Sequence, residues 1–310
     1  MNHRYLITLM AAGFALVATA AESPPSEKPS DRQFTLHKGL SYSVAAPKLK
    51  LDLFLPLKAP KPMPCVVVIQ GGGFLAQDGQ RFRSFAEYLA ENGFAAALIA
   101  YRGRPEHRYQ ETVADVKAAV QFVRAHSKDY GIDPDRIAAM GRSAGATLAA
   151  LLAVSGGVEE LEGGHADVSS RIQAAVGIAG VYDFVARFTE EEQTSIQPAV
   201  DTKLKTNGEW IGSAFSPTDE HWLRVSAIHH VDAADAPMLL LHSKDDRTVP
   251  WMQSRNMHEA MKKAGIASEI EISETGGHGG PATAKESMIA FFRKVLVERG
   301  AAPDAESQPR

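Results

Sequence analysis

Residues 136–145 read RIAAMGRSAG. A Gly-x-Ser-x-Gly spacing, at Gly141, Ser143 and Gly145, follows the apolar run Ile137–Met140 and precedes ATLAALLAV, which has the apolar spacing of a buried helix. Strand, sharp turn and helix would lift the Ser143 hydroxyl clear of a sheet's carboxyl end, where a nucleophile must sit. The glycines would let strand and helix pass where a Cβ would intrude. The competing reading is a glycine-rich turn whose serine caps the helix. A serine hydroxyl is inert at neutral pH without a base, and the base needs an orienting acid. After such an elbow the acid comes first and the histidine second. Residues 238–250, MLLLHSKDDRTVP, run from a strand into a loop with Asp245 and Asp246. Residues 268–280, SEIEISETGGHGG, run from an alternating strand into a glycine-rich loop with His278. Each candidate follows the carboxyl end of a strand, where open α/β sheets place ligand chemistry. Three loops in this order point to a Ser-His-Asp triad.

Acyl transfer through such a triad also needs donors for an oxyanion. Residues 66–74, VVVIQGGGF, read as a buried strand ending in three glycines, whose N–H groups no side chain would obstruct. One donor should come from this loop and one from Ala144, directly after the nucleophile. GGGFLA also fits a dinucleotide fingerprint, which requires a helix opening at the last glycine and an acidic residue closing the next strand. QDGQR follows instead, and the next strand, FAAALIAYR, ends in Tyr101 and Arg102, so dinucleotide binding is set aside.

With these motifs the chain resembles an α/β-hydrolase of the esterase/lipase group that carries an HGGG-type loop. Within that group it most resembles the bifunctional feruloyl/acetylxylan esterase-like (BD-FAE-like) secreted esterases. The similarity runs from about Leu51 to Val297 and includes LDLFLP, QGGGF, YGIDPDRI, GRSAGATLAALL, SSRIQAAVGIAGVYDF, DRTVP and GGHGG. The resemblance implies Ser143 as nucleophile, Asp246 as acid and His278 as base, with Gly72, Gly73 and Ala144 as oxyanion donors. Two positions depart from the pattern: Gln70 stands where the loop histidine is usual, and Ala146 where a third elbow glycine is common. A Gln amide can still hydrogen-bond neighbouring backbone, so a working oxyanion hole is expected.

The elements that must position these residues are legible too. The 310 residues, 45% hydrophobic and 23% charged, suffice for one α/β domain with a large core. Strands near Phe34–Val44 and Lys48–Leu55 open it. Arg81–Asn92 and Gln110–Lys128 read as amphipathic helices, Ile172–Gly180 as a buried strand, and Trp251–Ala264 and Ala282–Glu298 as helices following the acid and histidine loops. Alternating strands and helices imply a mostly parallel central sheet flanked by helices on both faces. The domain is expected over residues 33–299.

At the N-terminus, Arg4, the apolar run Leu6–Val17 and Ala18-Thr19-Ala20 read as a signal peptide over residues 1–20, too short for a membrane span. It predicts export to the periplasm or beyond. Residues 21–32 read as a polar, proline-rich leader and 300–310 as a frayed tail, both disordered. The net charge of −4 argues against a nucleic-acid partner. The lone cysteine, Cys65, reads as a small buried hydrophobe, with no base near it.

Between about residues 182 and 235 the rhythm breaks. The stretch holds Glu190–Glu192 and the aromatic residues Phe184, Phe188, Trp210, Phe215 and Trp222. By resemblance it would form a short cap over the site; plain packing helices are the alternative for any single aromatic. His221, His229 and His230 lack a Cys or carboxylate set at ligand spacing, so no metal site is expected. His242 reads as structural. Asp183 reads either as orienting the nucleophile loop or as a helix cap.

The expected protein is a secreted serine esterase working without metal or organic cofactor, on a small-molecule or polysaccharide ester. Acetyl or aromatic acyl groups are implied by the resemblance and by export. The rivals are another acyl hydrolase (lipase, arylformamidase-like amidase or peptidase) and a non-catalytic binding protein that kept the fold. A prolyl-peptidase would want an aromatic residue after the nucleophile, where Ala144 stands, and an N-terminal propeller.

Overall fold

The computed structural model describes residues 33–156, 161 and 167–298; the expected signal peptide, leader and C-terminal tail lie outside them. Eight strands form one sheet: β1 Phe34–Ser41, β2 Lys50–Pro56, β3 Met63–Ile69, β4 Ala95–Ile99, β5 Ile132–Arg142, β6 Ala174–Ile178, β7 Met238–Ser243 and β8 Ser268–Ser273. Their order is β1-β2-β4-β3-β5-β6-β7-β8. β1 pairs antiparallel with β2, and β2 with β4, while every pair from β4 across to β8 is parallel.

Strand periodicity explains why the interior strands read as continuous apolar runs. Successive side chains point to opposite faces, and both faces are covered. In β3, Cys65, Val67 and Ile69 join one core, and Val66 and Val68 the other. In β5, Ile137 and Ala139 face the first core, and Ala138 and Met140 the second. The first face is covered by α2 Tyr109–Ala125, with the short α3 Ser127–Tyr130 at its end, by α4 Ala144–Val154 and by α9 Met252–Lys263, through Val116, Leu148, Leu151 and Met257. The second is covered by α1 Arg83–Glu91 and α10 Ala284–Phe292, through Leu89, Met288 and Phe292. α4 is buried at all of its residues, which is why its sequence has no polar face. Cys65 is fully buried and burial pushes its thiol up to about 12, so it serves as a core hydrophobe.

Local chemistry sets element ends that periodicity placed a few residues away. β1 stops at Ser41, short of Val44, and the Ser43 hydroxyl accepts the Ala46 N–H at 3.1 Å to form a turn before β2. Between β6 and β7 lie four short helices: α5 Ala186–Thr189, α6 Glu191–Thr194, α7 Val200–Ile211 and α8 Glu220–Arg224. Most of the aromatic residues of this stretch are core, with Phe188 and Phe215 half-buried against it. Trp210, Trp222 and Phe184 are completely buried, and Trp210 stacks on Phe74 with ring centroids 3.7 Å apart.

Candidate active site

Ser143 stands between β5 and α4 with φ 57° and ψ −126°, a conformation L-residues rarely adopt. The surroundings over-determine it. Its N–H donates to Ile178 O at the end of β6 at 2.8 Å, and its carbonyl accepts the Ala146 and Thr147 N–H groups at 2.9 and 3.2 Å. A Cβ on Gly141 would sit 2.2 Å from the Gly145 carbonyl carbon, and one on Gly145 would sit 2.1 Å from Ile69 O. The two glycines therefore let β5, α4 and β3 converge beneath the serine. The side chain of Ser143 makes no cap on its helix, contrary to the glycine-rich-turn reading. Ala146 is accommodated from the far side: a Cβ on Gly180 would lie 2.8 Å from the Ala146 methyl.

The structure brings the histidine and one aspartate together. His278 Nδ1 lies 2.8 Å from Asp246 Oδ2. Asp246 is 1% exposed, and its Oδ1 accepts the Thr248 and Val249 N–H groups at 2.7 and 3.1 Å. Burial pushes its carboxyl up, but hydrogen bonds from His242, His278 and the Thr248 amide outweigh that and hold it well below the usual carboxylate range. Asp245 faces elsewhere: its Oδ1 accepts the Gly277 N–H at 2.7 Å, bracing the turn that carries His278.

Ser143, His278, Gly72, Gly73 and Ala144 line one cavity of about 330 Å³. Ala144 opens α4, so its N–H has no partner within the helix and lies at the positive end of the helix dipole. In the glycine loop, Gly72 has φ 153° and Gly73 φ 60°. Gly71 is the tightest position: a Cβ there would lie 2.2 Å from Arg142 O and 3.0 Å from Ser143 Cβ.

Gln70, 1% exposed, ties the loop down. Its Oε1 accepts the Arg81 N–H at 2.9 Å, its Nε2 donates to Gln77 Oε1, and its backbone carbonyl accepts the Tyr101 hydroxyl at 2.6 Å. The bond to neighbouring backbone expected of its amide is present.

Three features escaped sequence reasoning. His242 is fully buried, with Nε2 3.2 Å from Asp246 Oδ2 and Nδ1 2.8 Å from Ser254 Oγ. A polar residue closing an apolar strand four positions before the acid was the available signal. Arg104 joins the glycine loop to the helices between β6 and β7, with Nε donating to Gly73 O at 2.8 Å and a guanidinium N–H to Glu209 Oε2 at 2.8 Å. Only tertiary contact pairs residues so far apart in sequence. The third is a group of cations on the cavity wall, Arg81, Arg142, Arg187 and Lys203. Asp183 resolves as a cap: its Oδ1 accepts the Val185 and Ala186 N–H groups at the start of α5. His221 Nδ1 meets the Tyr109 hydroxyl at 3.2 Å, and His230 Nε2 meets Arg224 O at 2.7 Å.

A mostly parallel sheet with a strained strand–serine–helix turn and a buried aspartate paired with a histidine on later strand ends defines an α/β-hydrolase. The chain belongs to the BD-FAE family, whose model matches residues 51–261. It is similar to a probable carboxylic ester hydrolase, LipM, of Mycobacterium tuberculosis, 28% identical over 255 residues that cover 79% of this chain and 57% of that protein. The chain spans about half the length of the curated relatives it matches. Among solved structures, a truncated carbohydrate esterase from gut microbiota matches with a TM-score of 0.76 over 87% of this chain and 99% of that one; at 24% identity the likeness is one of fold. An acetyl ester-xyloside bifunctional hydrolase from Caldicellulosiruptor lactoaceticus is 26% identical with a TM-score of 0.65, over 80% of this chain and 88% of that one.

Proposed function

We propose that the protein is a serine carboxylic-ester hydrolase that forms an acyl-enzyme on Ser143. The observation that carries this reading is the 2.8 Å contact of His278 Nδ1 with a buried, ionised Asp246, on a histidine that shares one cavity with an elbow serine. Asp246 accepts from Nδ1–H, which leaves Nε2 as the basic nitrogen of the imidazole. His278 takes the Ser143 proton as Oγ attacks the ester carbonyl. The N–H groups of Ala144, Gly72 and Gly73 receive the oxyanion, with the α4 dipole behind Ala144. Collapse expels the alcohol, protonated by His278. Water, deprotonated by the same imidazole, then releases the acid and regenerates Ser143.

Short or aromatic acyl esters, such as acetyl or feruloyl groups on polysaccharide, are the proposed substrates. Family membership and the likeness to an acetyl ester-xyloside hydrolase support them. Export is proposed from the basic, apolar and small-residue pattern of residues 1–20.

The test is a panel of para-nitrophenyl esters of rising chain length beside acetylated xylan and methyl ferulate, run with labelling by a serine-directed fluorophosphonate. Ester turnover and stoichiometric labelling are expected. Ser143→Ala should lose both, with kcat down by several orders of magnitude. Turnover of peptides or formamides without esters would move the protein to a rival class, and retention of more than a few per cent of activity in Ser143→Ala would remove the nucleophile assignment.

A further inference from the structure

The cavity that holds Ser143 and His278 is also lined by four cationic side chains: Arg81, Arg142, Arg187 and Lys203. Among the described residues none of the four forms an ion pair with a carboxylate, although eight other lysines and arginines do so elsewhere in the fold. Arg142 stacks over the Phe82 ring at 5.1 Å. Arg187, on α5, is 3% exposed; its Nε donates to Gln197 Oε1 at 3.1 Å and a terminal nitrogen to Thr248 O at 2.8 Å, both neutral acceptors. Lys203 and Asn207 reach the same wall from α7. The Asn207 Nδ2 is a buried donor with no hydrogen-bond partner, on a residue 5% exposed.

Arg187 is buried and Arg142 and Lys203 are half-buried, and withdrawing cations from water without a carboxylate partner is costly. Burial lowers Arg142, and Arg81 lowers it further. Burial lowers Arg187 to about 10, with the Asp246 charge opposing. Lys203 is lowered by burial and then by Arg187. Arg142 and Arg187 remain charged at neutral pH, as guanidinium groups do. A chain that needed only to fill this wall could do so with apolar residues. Cations and an unsatisfied amide donor held in a reaction cleft instead make a site for an anion.

We propose that this wall binds a carboxylate carried by the substrate, so that the preferred ester bears an ionised carboxylate on its acyl or its alcohol side. Arg187 and Lys203 supply the charge and Asn207 Nδ2 a further hydrogen bond. At the α5–α7 wall these two cations act against the single buried charge of Asp246, which leaves one net positive charge, matched to a carboxylate. Arg81 and Arg142 extend the positive field on the side of the glycine loop. The inference rests on the esterase reading of Ser143. It narrows the substrate from esters at large to acidic ones, whether half-esters of dicarboxylic acids or acylated sugar acids.

Two pairs of probes separate the sources. The acyl-side pair is the mono-para-nitrophenyl ester of adipic acid and its neutral methyl ester. The alcohol-side pair is para-acetoxybenzoate and its methyl ester. For the full chain at low salt, kcat/KM for the charged member of at least one pair should exceed that of its neutral partner by about tenfold or more, the low end of the worth of a charge-assisted hydrogen bond. The pair that responds identifies which side of the ester carries the acid. Lys203→Met should bring that ratio towards one, mainly through KM, and Lys203→Glu should invert it. Because Arg187 also holds the Thr248 carbonyl, Lys203 on the half-buried face of α7 is the cleaner position to vary. Ratios at or below one in both pairs, with neutral esters still turned over in a Ser143-dependent way, would overturn the carboxylate site and leave the esterase reading standing. A charge preference that salt abolishes but Lys203→Met leaves intact would be long-range steering and would also overturn it. No turnover of any of the four esters would remove both.

Discussion

His242 Nε2 lies 3.2 Å from Asp246 Oδ2, the same oxygen that His278 Nδ1 approaches at 2.8 Å. Nε2 of His242 also faces Val249 O at 3.1 Å, so with two acceptors before it this nitrogen carries the hydrogen, and Nδ1 accepts from Ser254. The carboxylate is thus pinned from behind by a fully buried neighbour while its front receives His278. His242→Leu should lower kcat by roughly 10- to 100-fold with little change in KM. That range follows from losing one hydrogen bond to a charged group, about 1.5–3 kcal/mol, if all of it is felt in the transition state. Steady-state kinetics on a small acetyl ester decides it: a pure KM effect would place His242 outside the charge-holding network.

The neighbouring aspartates should separate sharply. Asp246→Asn removes the acceptor that orients His278 and should cut kcat by about 10⁴. Asp245→Asn keeps an amide oxygen able to accept the Gly277 N–H and should cost less than tenfold. Parallel turnover measurements check this, and the reverse ranking would show that Asp245 is the acid.

Gln70 should matter through the loop it holds. Gln70→Ala deletes the acceptor of the Arg81 N–H and the donor to Gln77, so Gly72 and Gly73 lose their anchor. Losing one oxyanion donor outright costs about 10²–10³ in kcat, and a displaced loop should cost somewhat less. KM should change little, since the oxyanion exists only after attack. Gln70→His, which can restore similar bonds, should keep most of the activity. If Gln70→Ala matched the wild type in both constants, the loop would have to be held by its glycine turn and packing alone.

Asp235 predicts a pH effect on stability. Burial raises its carboxyl to about 6, with the Asp232 charge adding to the rise against its hydrogen bond from the Asp232 N–H. A folded-state value above the unfolded one means that stability falls as the pH rises from about 4 through 6, and the loss is complete above that window. Asp235→Asn should therefore raise Tm by roughly 1–3 °C at pH 7.5, a modest gain because the group is partly exposed and screened. At pH 4 the gain should vanish. Thermal unfolding at the two pH values tests the sign. Asp246, held down in the folded state, acts oppositely: its contribution is present above about pH 4 and lost as the pH falls below it.

Much of this molecule is written locally. The Ile137–Met140 run, the glycines around Ser143 and the apolar helix after it dictate a strained turn, because only glycine allows backbones to meet at the distances found at Gly141 and Gly145. The continuous apolar strands follow from a sheet covered on both faces, and the loops of His278 and the two aspartates follow from strand ends. Tertiary structure decided what depends on direction and on distant partners. Asp245 and Asp246 are adjacent and chemically identical, and only the path of the loop sends one to His278 and the other to Gly277. His242 became a partner of the acid because the loop after β7 folds back over its own strand end. Arg104 reaches Glu209, and Arg187, Lys203 and Asn207 reach the cavity of Ser143, only once the helices between β6 and β7 settle around Trp210 and Phe74. Hydrophobic periodicity reports which face of an element is buried; it carries no record of which remote side chain a polar group will meet.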